Sequence, residues 1–222
     1  MKPLQKPPRI RAKAPSKQDV ARHGSYHHGD LHDALLKAAE TVLERDGVQG
    51  LTLRAAAREA GVSHAAPTHH FGDMTGLLSE LAAVGFHRFG AALREAASRQ
   101  NSAHARLDAM GMAYVAFARK YPHLFMLMFR SERLDFDRPA LHEAMTEANA
   151  ALAAGVGAQR GEAVTPGRPT LTQAAEMVRA WSIVHGFAVL LLDHRIDRFL
   201  DLLPDRNPEG LLRAVLRGPP GK

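Results

Sequence analysis

A run of hydroxyl, guanidinium and imidazole side chains stands in residues 51–71, which read LTLRAAAREAGVSHAAPTHHF. Hydroxyls at helix N-termini and guanidinium groups bind phosphate oxygens. Imidazole can donate a hydrogen bond to guanine, and a methyl side chain can contact thymine. The run therefore has the chemistry to contact both the backbone and the base edges of DNA. For phosphate we assign Thr52, Arg54 and Ser63, with Thr68 and His70 as further candidates, and for base edges His64, Ala65 and His69.

Two short helices are predicted to present these side chains. Thr52 is a suitable N-cap for a helix over residues 53–60, in which apolar and charged residues fall on opposite sides. Gly61 ends this helix because the residue after a helix often needs a positive φ. Ser63 is the predicted N-cap of the second helix, which runs to about His70. Such a pair is typical of a helix-turn-helix, whose second helix enters the DNA major groove, but an ordinary αα-corner has the same spacing.

The other predicted elements are also helices, because apolar residues recur at spacings of three and four and no strand pattern or repeat is present. Asp30 is the expected cap of a first helix that ends at Asp46-Gly47, and Asp73 caps a long helix to about Gln100. Further helices are predicted at about 102–120, from Pro122, and over 139–154, 170–193, 196–203 and 208–216, with a mobile loop over 155–169.

Composition excludes several kinds of site. The chain has 222 residues, 45% of them hydrophobic, and no cysteine, which excludes disulfides, thiolate metal sites and thiol nucleophiles. No H-E-x-x-H, G-x-S-x-G or P-loop motif is present, so we expect neither an enzyme nor a bound cofactor. The adjacent His27 and His28 are not expected to share a metal ion, since neighbouring side chains rarely point at one ion.

The sequence also indicates where the protein is located. No apolar run reaches the roughly 18 residues of a membrane span, and residues 183–192 come nearest. The basic N-terminus has no apolar segment of the kind found in signal peptides. We therefore expect a cytoplasmic protein that does not enter a membrane.

The net charge of the chain lies in its first 25 residues. Seven basic residues against one aspartate give this segment +6, which equals the net charge of the whole chain. Four prolines in the first 15 residues predict a disordered or extended tail. A basic tail beside a helix-turn-helix can follow phosphates or enter a minor groove, and a solubilising leader has the same composition.

A longer stretch, GDLHDALLKAAETVLERDGVQGLTLRAAAREAGVSHAAPTHHF, resembles the three-helix DNA-binding domain of TetR-type transcriptional regulators. The motifs that carry the resemblance are D-G-x-x-x-L-T, A-x-x-A-G-V-S and H-F before a new helix. In the second half, YPHLFMLMF and WSIVHG resemble the WHG C-terminal domain of one branch of that family. Together the resemblance covers most of residues 26–217.

The resemblance implies an all-α fold with three parts. These are a basic tail over 1–25, a helix-turn-helix DNA-binding domain over 26–73, and a larger helical effector-binding and dimerisation domain over 74–222. It further implies a homodimer on a palindromic double-stranded DNA operator, released by a small hydrophobic effector so that the protein acts as a repressor. The helices from residue 170 and over 208–216 would form the dimer interface. A transcriptional activator and a ligand-independent DNA-binding protein of the same fold are the alternatives.

Aromatic and methionine side chains at helical spacing are the candidates for the effector site, since such side chains line adaptable apolar pockets. The same stripes also form helical cores. Trp181 and His185 share a helix face, and each has an N–H that needs a partner when buried. They could orient a ligand or form a core pair. The candidates are Leu107, Met110, Tyr114, Phe117, Phe125, Met128, Phe129, Trp181 and His185.

Three residues depart from the family pattern. The family usually has a tyrosine where this chain has Thr68 and a lysine where it has Met74, and both family residues face phosphate. Pro67 stands at an inward-facing position. With Ser63 as cap, Pro67 would fall where the first helical hydrogen bond forms, whereas with His64 as cap the proline is tolerated.

Overall fold

A computed structural model of the chain describes residues 28–129, 131–165 and 167–218, with the side chains of 28–30 and 131 left out of the description. Within these residues all regular structure is helical, which confirms the predicted all-α fold. The basic tail, Tyr26 and His27 lie outside the described residues. The helices are α1 His28–Gly50, α2 Leu53–Glu59, α3 Ala66–Phe71, α4 Met74–Ser98, α5 Ala103–Lys120, α6 Pro122–Met128, α7 Pro139–Arg160, α8 Leu171–Leu192, α9 Asp197–Leu200 and α10 Pro208–Arg217.

Helix α1 packs against both α2 and α3. Leu35, Ala39, Val42 and Leu43 are fully buried and face the small side chains of α2. The predicted break at Gly47 is confirmed, since this residue has φ +68° inside the assigned helix. The predicted cap Asp30 was wrong, because the helix already begins at His28. Helical spacing therefore located the buried face of α1 but not its first residue.

Local chemistry sets the bounds of α2. The hydroxyl of Thr52 accepts a hydrogen bond from the amide of Ala55 at 3.0 Å, as predicted for the N-cap. Gly61 has φ +68°, which a residue with a side chain rarely adopts, and so it ends the first helix as expected. The turn between the two short helices is thus specified by its own residues.

Helix α3 begins later than either predicted cap allows. Its N-cap is Ala65, which makes no side-chain capping bond, while the Ser63 hydroxyl accepts from the amide of Ala65 at 3.3 Å within the turn. The first α-type hydrogen bond runs from the amide of His69 to the carbonyl of Ala65. Pro67 therefore occupies the second helical position, where its missing amide hydrogen leaves no bond unmade. This placement removes the conflict expected with Ser63 as the cap.

Helix α4 joins the first three helices to the remainder of the molecule. Asp73 caps it as predicted, accepting from the amide of Gly76 at 2.8 Å. The helix packs mainly against α5 and α7 and also contacts α1, α3 and α6. Met74, which stands where the family has a lysine, packs partly buried against the core. One helix therefore touches both the α1–α3 unit and the larger helical body.

Helix α7 extends six residues beyond its predicted end and stops at Arg160, so the predicted loop over 155–169 was wrong for residues 155–160. The glycines there predict a break in the helix, but Gly155 and Gly157 are buried inside it. A Cβ on Gly155 would lie 2.9 Å from the sulfur of Met110, and one on Gly157 would lie 2.6 Å from the carbonyl oxygen of Glu162. These glycines allow close packing.

Helix α8 spans 22 residues, close to its predicted bounds of 170–193, but it is more apolar than the sequence analysis expected. By length and composition alone it could cross a membrane, since an 18-residue stretch of it has a mean hydropathy of 1.4. Only 17% of that stretch is buried in the single chain. Thr170 and Gln173 form a capping box at its start. The exposed apolar surface of α8 therefore needs an explanation outside the single chain.

Candidate nucleic-acid interface and apolar cavity

The side chains predicted to contact DNA belong to α2, the turn after it and α3, and most of them are exposed. Pro67 and Phe71 point inward, and Phe71 is almost completely buried. The positions between them therefore face outward on this short helix. The exposed members of the predicted set are Thr52, Arg54, Ser63, His64, Ala65, Thr68 and His69, and His70 is half-buried.

Aromatic rings support the C-terminal end of α3. The ring of His32 on α1 lies 5.0 Å from that of Phe71 and 6.0 Å from that of His70, measured between centroids. The ring of His69 packs edge-on against His70 at 5.5 Å. His70 is thus part of the contact between α3 and α1, whereas His69 stands further out.

Charge on this surface is unevenly paired. Arg45 at the end of α1 is held by Glu59 at 3.0 Å and by Asp46 at 3.0 Å. Arg54 is exposed at the start of α2 and forms no ion pair with any residue that the structure describes. Among these arginines, Arg54 is therefore the one whose guanidinium remains available to a phosphate.

A cavity of about 320 Å³, partly open to solvent, lies between α4, α5, α7 and α8. Four of the nine predicted effector residues line it: Tyr114, Met128, Phe129 and Trp181. Its walls are almost wholly aliphatic and aromatic, with Asn149 as an added polar group. The remaining wall residues, which the sequence analysis missed, are Phe86, Phe89, Leu93, Phe136, Met145, Ala148, Asn149, Leu152 and Val184.

The other predicted effector residues lie elsewhere. Leu107 and Met110 line a second cavity of about 110 Å³, which shares Tyr114 with the first. Phe117 and Phe125 are buried in the core. His185 packs behind the first cavity, where its ring lies 4.7 Å from that of Phe129. The aromatic and methionine residues chosen from the sequence therefore include both cavity-lining and core residues.

A hydrogen-bonded group joins α5 to α8 at the cavity wall. The hydroxyl of Tyr114 accepts from the indole N–H of Trp181 at 3.1 Å. The same hydroxyl lies 2.8 Å from Nδ1 of His185. Because the indole can only donate, the Tyr114 hydrogen is free to point at Nδ1, and His185 is then neutral with its hydrogen on Nε2. Trp181 and His185 thus each form a hydrogen bond with Tyr114 rather than with each other.

Burial keeps this group uncharged. It raises the pKa of the Tyr114 phenol far above its usual value, although the hydrogen bond from Trp181 acts in the opposite direction. Burial also lowers the pKa of His185 below its ordinary 6.5. Both side chains are therefore neutral near pH 7, and the cavity wall carries no charge at this point.

Two polar links connect the larger helical body with α1. The amide of Leu124, at the start of α6, donates to Glu44 Oε1 at 2.9 Å, and His123 Nδ1 donates to the Glu44 carbonyl at 3.1 Å. Arg88 on α4 makes a two-pronged pair with Glu40 at 2.5 and 3.1 Å. Helix α6 also carries Met128 of the cavity wall, so the cavity and α1 share a short rigid connection.

The geometry defines a helix-turn-helix protein with a second helical region that contains an apolar cavity. Residues 35–81 match the family model described as bacterial regulatory proteins, tetR family. Residues 107–215 match the model described as tetracyclin repressor-like, C-terminal domain. The chain belongs to the TetR family of bacterial transcriptional regulators.

Solved structures share the fold. A protein of unknown function from Rhodococcus sp. RHA1 is 36% identical, with a TM-score of 0.68 over 86% of this chain and 96% of that one. The transcriptional regulator FadR from Bacillus subtilis, in complex with stearoyl-CoA, is 17% identical, with a TM-score of 0.61 over 84% and 96%. RolR in complex with resorcinol is 14% identical, with a TM-score of 0.56 over 86% and 87%. No curated protein matches the chain.

Proposed function

We propose that this regulator is a homodimeric repressor that leaves a palindromic DNA operator when a small hydrophobic effector enters the cavity between α4, α5, α7 and α8. The observation that carries the proposal is the apolar cavity of about 320 Å³ in a helical body whose α4 begins three residues after α3 ends. Two relatives in fold were solved with ligands, stearoyl-CoA in one and resorcinol in the other. From these two structures we infer only that this chain also binds an organic molecule, and not which one.

The DNA-contacting set is proposed with the roles assigned from the sequence. Thr52, Arg54 and Ser63 contact phosphate, with Thr68 and His70 as further candidates, and the base edges are met by His64, Ala65 and His69. In a dimer the two copies of α3 enter successive major grooves about one helical turn apart. Thr68 lacks the aromatic ring that the family usually has, and Met74 packs on the core instead of presenting a cation. Affinity therefore depends more strongly on Arg54 and on the basic N-terminal segment.

Release follows from differential binding. An effector that fits the cavity better in the state unable to bind DNA shifts the protein toward that state. The coupling energy in such systems is typically about 1–3 kcal/mol, a roughly 5- to 150-fold fall in operator affinity. Location in the cytoplasm, where the chromosome lies, is part of the same proposal.

DNA binding tests the proposal directly. We expect the full chain to select a preferred duplex from random-sequence DNA, with an affinity that falls steeply as salt is raised. Arg54→Ala should weaken binding to all sequences similarly and reduce the salt slope by about one unit, because one phosphate contact is lost. His69→Ala should relax preference at a single base pair by about 1–3 kcal/mol. Fluorescence anisotropy with labelled duplexes measures all three effects.

Arg168→Ala is the matched control, since Arg168 is an exposed arginine far along the chain from the reading surface. It should leave affinity and salt slope unchanged. If Arg54→Ala and Arg168→Ala behaved alike, the assigned phosphate contact would be wrong. A chain that selected no preferred duplex would contradict the proposed function as a whole.

Activation of transcription and ligand-independent binding are the alternatives. A transcription assay on the selected operator separates repressor from activator by the sign of the effect. A ligand-independent protein would show no compound that both raises its melting temperature and releases DNA. The open apolar cavity favours the effector-responsive form.

A further inference from the structure

Arg138 joins the start of α7 to the last residue of the recognition helix α3. Its Nη2 donates to the backbone carbonyl of Phe71 at 2.7 Å, and its Nη1 donates to Glu80 Oε1 at 3.0 Å. The carbonyls at a helix C-terminus lack partners within the helix. A guanidinium bond to such a carbonyl is charge-assisted and directional. Arg138 is therefore placed to hold the end of α3 from the effector-binding side of the molecule.

Gly76 leaves room for the guanidinium of Arg138 to reach the carbonyl of Phe71. A Cβ at this position would overlap the carbonyl oxygen of Phe71 and lie 2.5 Å from Nη2 of Arg138. Gly76 is a buried residue in the first turn of α4, and its φ is not one that requires glycine. Its lack of a side chain is explained first by the close approach of the Phe71 carbonyl, and the arginine reaches that carbonyl through the same space.

The segment of residues 134–138 is anchored on α4 and also reaches the cavity. The amide of Asp135 donates to the hydroxyl of Ser79 at 2.8 Å, and this buried hydroxyl donates to the carbonyl of Thr75 at 2.8 Å. Phe136, in the same segment, forms part of the wall of the 320 Å³ cavity. Phe136 of the cavity wall is thus two residues before Arg138, which binds the end of α3.

We propose that Arg138 is a positioning residue for DNA reading, and that residues 134–138 transmit occupancy of the cavity to the recognition helix. A molecule in the cavity pushes on Phe136 and on α7 beside it, the first turn of α7 moves, and Arg138 changes the direction in which α3 is held. This inference rests on the proposed function, since it concerns how a specific operator is read and released.

The first experiment compares Arg138→Ala with Arg88→Ala. Arg88 pairs with Glu40 and has a similar exposure, 37% against 28% for the side chain of Arg138, but it holds α1 rather than α3. The readout is the ratio of affinities for a duplex selected in vitro and for a random-sequence duplex of equal length. We expect Arg138→Ala to lower this ratio about tenfold, because the loss of one charge-assisted bond frees α3 without removing a phosphate contact.

Arg88→Ala should leave the ratio unchanged even where it lowers the melting temperature as much. Arg138→Lys keeps one charged donor and should give an intermediate ratio, and it decides the question if the alanine variant does not fold. Equal ratios for the wild type and the Arg138 variants would overturn the inference while leaving sequence-specific binding intact. Failure to select any duplex would overturn both the inference and the proposed function.

The second experiment fills the cavity without a ligand. Met145→Trp places a large ring at a half-buried position of the cavity wall, and it is made in the wild type and in Arg138→Ala. We expect it to lower affinity for the selected duplex in the wild type and to have little further effect in Arg138→Ala, which is the non-additivity of coupled residues. Equal losses in both backgrounds, or no loss in the wild type, would overturn the transmission through residues 134–138.

Discussion

Tyr114 shows how a single hydroxyl organises the cavity wall. It receives the indole hydrogen of Trp181 and faces Nδ1 of His185, and its ring packs edge-on against Phe89 at 4.9 Å between centroids. No buried side-chain nitrogen or oxygen of the described residues lacks a hydrogen-bond partner. Under the proposed function, an effector that needs a polar contact would form it with this group or with Asn149.

Acid should destabilise the protein through His185. Burial lowers the pKa of His185 in the folded state below its ordinary 6.5, so the unfolded chain takes up the proton first. The contribution to stability is fully present above about pH 6.5 and is lost as the pH falls through the lower, folded-state pKa. Protonation of Nδ1 also removes the acceptor that faces Tyr114.

The measurement is the melting temperature between pH 7.5 and pH 5, with His185→Asn as comparison. Asparagine can keep an acceptor for the Tyr114 hydroxyl but does not titrate. The variant should lose less stability over this range than the wild type. Parallel curves for the two proteins would show that His185 contributes nothing to the acid sensitivity.

Helix α7 gains its last two turns from close packing rather than from helix propensity. Gly155 approaches Met110 of α5, and Gly157 approaches the backbone of Glu162, where the chain turns back after the helix. Residues of low helix propensity are thus kept where a side chain has no room. Helix α7 can then supply Met145, Ala148, Asn149 and Leu152 to the cavity.

Gly157→Ala separates the effect of helix propensity from the effect of close packing. Alanine is favoured over glycine in a helix by about 1 kcal/mol, but the added Cβ would meet the backbone oxygen of Glu162, which cannot rotate away. We expect a net loss of about 1–3 kcal/mol in the free energy of unfolding, as for other overpacked sites. Urea denaturation followed by circular dichroism measures it.

Gly210→Ala is the control for propensity, because the nearest atom to its added Cβ is a side-chain atom at 3.5 Å, an ordinary contact. This variant should be as stable as the wild type or more so. A gain in stability for Gly157→Ala would mean that the turn after α7 adjusts easily and that close packing does not require this glycine.

The exposed apolar face of α8 indicates how the whole molecule is expected to dimerise. Small or apolar residues recur at spacings of three and four along it: Leu171, Ala175, Val178, Ser182, Gly186 and Leu190. Leu171 is 88% exposed and Val178 57%, and Val215 of the neighbouring α10 is also exposed. Faces of this kind normally mark an interface. A second copy of α8 and α10 is the partner that the proposed homodimer provides.

Gly186→Arg should dissociate the dimer. A Cβ at Gly186 would meet nothing within 4 Å in the single chain, so an arginine is accommodated by the monomer. In a symmetric interface the same charge is introduced twice into an apolar contact, which is strongly unfavourable. Light scattering coupled to size exclusion should report a mass near 24.2 kDa for the variant, the mass of one chain. Loss of operator binding should accompany it.

Thr146→Arg, on the exposed side of α7, is the matched control and should remain dimeric. If Gly186→Arg remained dimeric as well, the interface would lie on another surface. The apolar face of α8 would then require a different partner.

Features that depend on a few neighbouring residues could be predicted from the sequence. The Thr52 cap, the positive φ of Gly61 and the cap at Asp73 follow from local hydrogen bonding and backbone sterics, and all three are confirmed. The all-helical fold follows from apolar spacing, and the family follows from the motifs around residues 46–71. The branch with a WHG domain, the domain bounds and the individual DNA contacts stay predictions.

Contacts between distant segments could not be predicted, because a helix face that lines a cavity has the same period and composition as one that fills a core. Phe125 and Phe129 lie four residues apart, yet the first is core and the second is cavity wall. The bond from Arg138 to Phe71 joins residues 67 positions apart, and no local pattern encodes such a pairing. The sequence therefore specified the recognition unit through short-range chemistry. The cavity, and the arginine that connects its wall to α3, arise where α4, α7 and α3 meet in space.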